Sequence, residues 1–251
     1  MKHWEKPDLR RILHILIAIC IVGIACSALV LFHSSREYAE GDKAYRQVRR
    51  TVLPESAQEG KREDANIDFA ALKEINPDVT AWLAAGDGRI DYPVVRGKDN
   101  DYYLSHLFNG ERNKLGAIFM DCRSSGDFSD RNTIIYGHKM KDGSMFASLS
   151  NYKDQAYYDG HPDMMLYTPG GNYKIELFAG TVTDGSYESV RFNFKDDADF
   201  LNYIDSLKES STFRSGTEVT AGDRIITLCT CSYEFDNARY ALFGKLTPAS
   251  R

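Results

Sequence analysis

The sequence predicts a mainly β protein: a closed or nearly closed barrel of seven or eight strands, with N-terminal helices and one inserted helix, preceded by a single membrane-spanning helix. Three observations carry this. Seven short apolar runs follow one another between residue 90 and the C-terminus, divided by turn dipeptides. One amphipathic helical segment lies between the fifth run and the sixth, and a long apolar run opens the chain.

That opening run, ILHILIAICIVGIACSALVLF at 12–32, has 21 residues with His14 and Ser27 as its clearly polar side chains. As a helix it crosses about 30 Å of hydrocarbon. Lys2, Lys6, Arg10 and Arg11 precede it, whereas Arg36 is the one basic residue in the ten positions that follow, so the positive-inside bias puts the N-terminus in the cytoplasm. A cleaved signal peptide is the competing reading, but the run exceeds the usual 7 to 15 residues and no small-x-small site follows it. The expected organisation is a cytoplasmic tail (1–11), a signal anchor (12–32), a stalk helix and linker (33–66) and an extracellular catalytic domain (67–251).

Residues 34–52 are polar and compatible with a helix, with Tyr38, Ala39, Tyr45 and Val48 weakly periodic, and PESAQEGKREDAN at 54–66 reads as a charged linker. IDFAALKEI at 67–75 reads as a short helix broken at Asn76-Pro77, and DVTAWLA at 78–84 as a second helical turn. The strand runs are IDYPVV (90–95), GAIFMD (116–121), NTIIYGH (132–138), MMLYT (164–168), YKIELFAGTV (173–182), RIITLCTC (224–231) and RYALFGKL (239–246). Asp87-Gly88, Asn109-Gly110, Asp142-Gly143, Gly170-Gly171 and Asp184-Gly185 bound or separate them as turns. In DDADFLNYIDSLKESS at 196–211, Phe200, Leu201, Ile204 and Leu207 form one apolar helical face.

Over 251 residues, 43% hydrophobic and 27% charged content is ordinary globular usage, which excludes disordered, collagenous and coiled-coil classes. Lys plus Arg is 31 against 36 for Asp plus Glu, a net charge of -5, so there is no basic footprint for nucleic acid and none is expected as a partner. Of the five cysteines, Cys20 and Cys26 lie in the apolar run. Cys229 and Cys231, two apart on a strand, share a face but are badly placed to bond to each other, which leaves at least one free thiol.

Cys231 ends a strongly apolar strand pattern just before a polar stretch, where a rigid scaffold can present a nucleophile. His138 also ends a strand, with Gly137 beside it permitting close approach. Arg239 begins the next strand eight residues after Cys231, so a hairpin returns a guanidinium beside the thiol, where it can hold an oxyanion or a carbonyl. Each also has a plainer reading: a small core thiol, a satisfied polar histidine, a solvated arginine at a hairpin rim.

The strings themselves are more specific. TLCTC at 227–231, IIYGH at 134–138 and NARY at 237–240, in that His, Cys, Arg chain order, resemble the sortase family, and the anchor, helices and inserted helix resemble its class B. The resemblance implies a cysteine transpeptidase of Gram-positive bacteria with Cys231 as nucleophile, His138 as proton-transfer partner and Arg239 steadying the oxyanion and the substrate backbone. It also implies a substrate groove lined by Asn100 and Leu104, in KDNDYYL, with Tyr136, Leu228, Cys229 and Thr230. Cys229 stands where the motif is variable and a serine is frequent. The implied partners are surface proteins bearing a C-terminal sorting signal, the amine of a peptidoglycan precursor (lipid II) and the membrane, through one helix. No cofactor or metal is implied, and Asp121 and Asp127 are too scattered to argue for calcium.

Three rivals stand beside this reading. A papain-like hydrolase places cysteine before histidine and at a helix start, the reverse of what is seen here. A non-catalytic anchored surface protein would bury its thiols. A class B-like pilin polymerase would use the same residues with a pilin lysine as the amine.

Overall fold

In this computed structural model, the described residues are 9–53, 66–184, 190–231 and 238–249. Lys2 and Lys6 of the tail, nearly all of the linker, Gly185 and the polar stretch at 232–237 lie outside them, and Cys231 is described by its main chain.

Eight strands among the described residues, β1 (Val79–Ala85), β2 (Asp91–Val95), β3 (Ile118–Met120), β4 (Asn132–Tyr136), β5 (Asp163–Thr168), β6 (Gly171–Asp184), β7 (Ile225–Cys231) and β8 (Ala238–Pro248), close into a barrel. Their order around it is β1-β2-β3-β4-β7-β8-β6-β5. The β2–β3 and β4–β7 pairs are parallel and the other pairs antiparallel. All seven predicted strand runs are present, with ends shifted by up to two residues.

The segment DVTAWLA, expected as a helical turn, is instead strand β1. It pairs with β2 on one side and β5 on the other, and all of its residues except Thr80 are buried. A strand covered on both faces loses the polar alternation that marks a half-buried strand, so a short apolar run of this kind reads equally well as a helix.

Four α-helices accompany the barrel among the described residues, α1 (Leu9–Val52), α2 (Phe69–Ile75), α3 (Gln155–Gly160) and α4 (Asp197–Glu209), with two 3-10 helices, Tyr102–Leu104 and Ala147–Lys153. The apolar run and the expected stalk form one continuous helix, α1, about 66 Å long at 1.5 Å per residue. From Ile12 to Phe32 its large apolar side chains are exposed, and this part is long and apolar enough to cross a membrane. Its last two turns are not a free stalk. Tyr45, Val48 and Val52 are each 2% exposed and belong to the main core cluster with the barrel interior.

Polar contacts anchor this docked end. Arg49 donates to the Asp91 carbonyl at 2.9 Å and pairs with its carboxylate at 3.6 Å, while the fully buried Trp82 indole donates to the same carboxylate at 2.9 Å. The buried charge is thereby held from two sides, the condition under which such a group is tolerated.

Helix α4 covers the outer face of the sheet. Phe200, Tyr203, Ile204 and Leu207 pack against Phe178 and Ala179 of β6, Ile225 of β7, and Ala241 and Phe243 of β8. Each fully buried side chain of this size contributes on the order of 1.5–3 kcal/mol of transfer free energy. Asp196 caps the helix by accepting from the Asp199 amide at 2.9 Å, and the Asp199 carboxylate takes both Arg191 amino groups at 3.0 and 2.6 Å.

The Arg191 carbonyl accepts from Asn132 Nδ2 at 2.8 Å, and Asn132 Oδ1 accepts from the Thr227 hydroxyl at 2.9 Å. Both residues are fully buried, so this chain of bonds pins β4 to β7 and both to the approach of α4. Thr227→Val keeps the shape and orphans the Asn132 oxygen. Urea unfolding is expected to register a loss of about 1–3 kcal/mol; unchanged stability would show that the hydroxyl does not pin the pair.

Candidate active site

The β4–β7 register runs from Asn132 opposite Ile225 to Tyr136 opposite Cys229, and the Gly137 amide continues it by donating to the Cys229 carbonyl at 3.1 Å. His138 lies two residues beyond Tyr136, and Cys231 lies two residues beyond Cys229. Parallel register therefore brings His138 level with Cys231. On the other side, β7 and β8 are antiparallel and Cys231 pairs with Arg239. His138, Cys231 and Arg239, more than a hundred residues apart at the extremes, thus meet at the same end of three adjacent strands. Arg239 is half-buried, and one of its amino groups donates to the Ala238 carbonyl at 3.1 Å.

Gly137 is confined by its neighbours. A Cβ on it would lie 2.5 Å from Ile118 Cδ1 and 2.7 Å from the Phe146 ring, so the close approach expected at this glycine is made by core side chains. Phe146 returns to this point and donates its amide to the His138 carbonyl at 2.9 Å.

The His138 ring is oriented from outside the barrel. Its Nε2 lies 2.7 Å from the Leu104 carbonyl oxygen. A carbonyl only accepts, which assigns the proton to Nε2 and leaves Nδ1 as the exchangeable position of the neutral ring. Leu104 ends the 3-10 turn Tyr102–Leu104.

Around these residues runs a cleft of about 240 Å³ lined by Leu104, Phe119 and Val190 on its apolar side and by Asn100, Tyr136, Thr183 and Arg239 among its polar groups. Its polar wall hangs on Asp121, which is fully buried. Asp121 accepts from Asn100 Nδ2 at 3.0 Å, from the Tyr136 hydroxyl at 3.1 Å and from the Arg123 guanidinium at 2.9 and 2.8 Å. Burial works to raise this carboxyl, but the bonds and charge of Arg123, with the Tyr136 bond, outweigh it and hold the group below its ordinary value. Burial first, and the Asp121 charge second, push the Tyr136 phenol up, so it remains a donor. Asn100 also accepts from the Cys122 amide at 2.8 Å, which locks its side chain from both ends.

Of the residues expected to line a groove, Asn100, Leu104, Tyr136, Cys229 and Thr230 do line this cleft. Leu228 does not. It is fully buried in the barrel core, because alternation along β7 turns it to the interior when Cys229 faces the cleft. The Cys229 thiol is 5% exposed, and the Thr230 hydroxyl is buried with no hydrogen-bond partner among the described residues. Sequence reasoning missed Phe119, Thr183 and Val190, which reach the cleft from β3, from the end of β6 and from the segment before α4 and belong to no motif. Asp121, set aside in the sequence as too scattered to argue for calcium, carries no signal there of its place in the cleft's polar wall beyond a carboxylate at the end of an apolar run.

No family model matches the chain. Sortase B of Listeria monocytogenes is 41% identical over 177 residues, covering 70% of this chain and 72% of that protein. Sortase B of Staphylococcus aureus is 32% identical over 191 residues, covering 75% and 78%. Among solved structures, a Staphylococcus aureus sortase B–substrate complex superposes with a TM-score of 0.76 at 29% identity, covering 86% of this chain and 100% of that one. Sortase B from Bacillus anthracis superposes with a TM-score of 0.74 at 34% identity, covering 85% and 99%. With identity at this level over most of both sequences and the same closed barrel, the chain belongs to the sortase B family of cysteine transpeptidases.

Proposed function

We propose that this protein is a membrane-anchored transpeptidase that cleaves a C-terminal sorting signal after its threonine and joins the new carboxyl end to the amine of a peptidoglycan precursor. The observation that supports the proposal is the register that sets His138, two residues past the end of β4, level with Cys231 on β7 and pairs Cys231 with Arg239 on β8, beside a cleft and with the histidine ring held by the Leu104 carbonyl.

In this reading the Cys231 thiolate attacks the threonine carbonyl, and negative charge develops on the carbonyl oxygen. Arg239 offsets that charge; loss of one such donor typically costs on the order of 100- to 1000-fold in rate. The tetrahedral intermediate collapses by breaking the carbon–nitrogen bond, and protonated His138 gives its Nδ1 proton to the departing amine. A thioester and a neutral imidazole remain. The incoming amine attacks the thioester carbon, His138 Nδ1 takes its proton, and the sulfur leaves as thiolate. Throughout, Nε2–H stays bonded to the Leu104 carbonyl, so the ring exchanges protons at one nitrogen and does not rotate.

The cleft suits an extended peptide: the apolar side takes side chains, while Asn100 and Thr183 are polar groups that offer bonds to a backbone. The Staphylococcus aureus relative has a structure with substrate, which supports a peptide here. The N-terminal segment lies in the cytoplasm and α1 crosses the membrane, so the barrel works outside the cell. A tethered signal and a lipid-linked amine then share one surface with the enzyme, which raises their effective concentration.

Cleavage of a quenched fluorescent sorting peptide tests the roles. Cys231→Ala is expected to abolish turnover with the fold intact, and His138→Ala and Arg239→Ala each to lower kcat/KM by about 100-fold or more. Near-normal turnover by the cysteine variant would overturn the assignment. Asp121→Asn sets an amide NH₂ against a ring of donors and loosens Asn100 and Tyr136. It is expected to raise KM about tenfold with less than a threefold change in kcat; an unchanged KM would show that this wall does not touch the peptide.

A further inference from the structure

The part of α1 beyond the apolar run lies along one short loop segment, residues 113–116. Lys114 Nζ donates to the Ser34 carbonyl at 2.7 Å, pairs with Glu37 at 3.5 Å and sits 4.1 Å over the Tyr38 ring. Asn113 Nδ2 donates to the Glu37 carbonyl at 2.9 Å, and Leu115 packs so closely on Gly41 that a Cβ there would lie 2.9 Å from it. Last, the Tyr45 hydroxyl donates to the Gly116 carbonyl at 2.9 Å. Four consecutive residues of the loop are thus matched to successive turns of the helix.

The same loop backs the candidate active site. Gly116 has φ +60, and a Cβ on it would lie 2.6 Å from the Tyr103 carbonyl oxygen, 2.9 Å from the Leu104 carbonyl oxygen and 3.0 Å from His138 Cδ2. The next residue, Ala117, donates its amide to the Tyr103 carbonyl at 2.9 Å. Gly116 is therefore wedged between Tyr45 of α1 and the carbonyl that holds the histidine. Tyr45 itself is 2% exposed, and its ring is fixed by Tyr92 and Phe108 at centroid distances of 5.0 and 5.2 Å.

We infer that α1 is a working part of the catalytic site: the Tyr45 hydroxyl, through the Gly116 carbonyl, sets the place of the Leu104 carbonyl and with it the tautomer and orientation of His138. Tyr45 is then a positioning residue, and the helix that carries the apolar span is mechanically joined to the proton-transfer group. The inference rests on the proposed role of His138, but its structural half stands apart from it, since the ring's tautomer is observable without turnover.

The test compares the full-length chain with Tyr45→Phe, which keeps the ring packing and removes one donor, both in detergent micelles and labelled with ¹⁵N-histidine. The His138 ring signals are assigned by their loss in His138→Gln. In the parent chain they should report the Nε2–H tautomer; in Tyr45→Phe they should move toward a tautomer mixture, and kcat for a sorting peptide should fall about five- to tenfold with KM unchanged. Val48→Ala, on the same docked face, controls for stability: it should lower the melting temperature while leaving ring signals and kcat as in the parent. Unchanged ring signals in Tyr45→Phe, or equal changes in Val48→Ala, would overturn the inference. A parent chain that turns over no peptide would instead count against the proposed function, and the ring signals would still decide the positioning role.

Discussion

The parallel pairing of β4 with β7 is the constraint on which the rest of the site depends. Parallel neighbours cannot be joined by a tight turn, and here Thr227 and Asn132 meet across 95 residues of chain. That long excursion contains α3, β5, β6 and α4, so the pairing forms only when most of the barrel has been assembled. Its register has no tolerance. A one-residue slip would turn Leu228 out to solvent, bury the face that carries Cys229 and move Cys231 away from the level of His138. The buried Thr227–Asn132–Arg191 chain of hydrogen bonds opposes that slip, since any other register would leave a polar group in the wall without a partner.

A second tier of contacts converts strand register into side-chain geometry. The barrel alone does not orient the His138 ring; a carbonyl from the 3-10 turn does, and that turn is braced by Gly116 and the docked end of α1. The Asp121 cluster does the same for the opposite wall, collecting Asn100, Tyr136 and Arg123 on one buried carboxylate. Rigid strands thus supply position, while turns and buried charges supply orientation. The arrangement also explains why the docked turns of α1 are so rich in polar contacts: they join a helix with an apolar span to a surface that must keep its shape.

Much of this was legible in the sequence, but unevenly. β6 and β8 were legible as long apolar runs bounded by turn dipeptides, and α4 by the spacing of Phe200, Ile204 and Leu207. β1 was misread because burial on both faces erased its pattern. The docking of α1 was hidden because three apolar positions, Tyr45, Val48 and Val52, are too few to mark a buried face within a polar helix. At the site, the strings around His138, Cys231 and Arg239 pointed to residues that the strand order brings together. Leu228 shares a motif with the site although the pleat turns it into the core, and Asp121, weighed in the sequence only as a scattered carboxylate, gains its importance from partners on separate segments. Contacts of that kind are properties of register and turn geometry, which a single sequence does not display.

In the proposed mechanism the thiol of Cys231 forms a covalent acyl intermediate that an amine resolves. Intact-mass spectrometry of the full-length chain, mixed with a pool of sorting-signal peptides with and without a small amine, tests this most directly. A mass increase equal to the N-terminal peptide fragment, mapped to Cys231 and discharged by the amine as a joined product, is the expected result. A thiol at Cys231 that acquires no adduct from any peptide and resists a small alkylating agent would contradict the account, because a packed, inert cysteine cannot serve as the nucleophile.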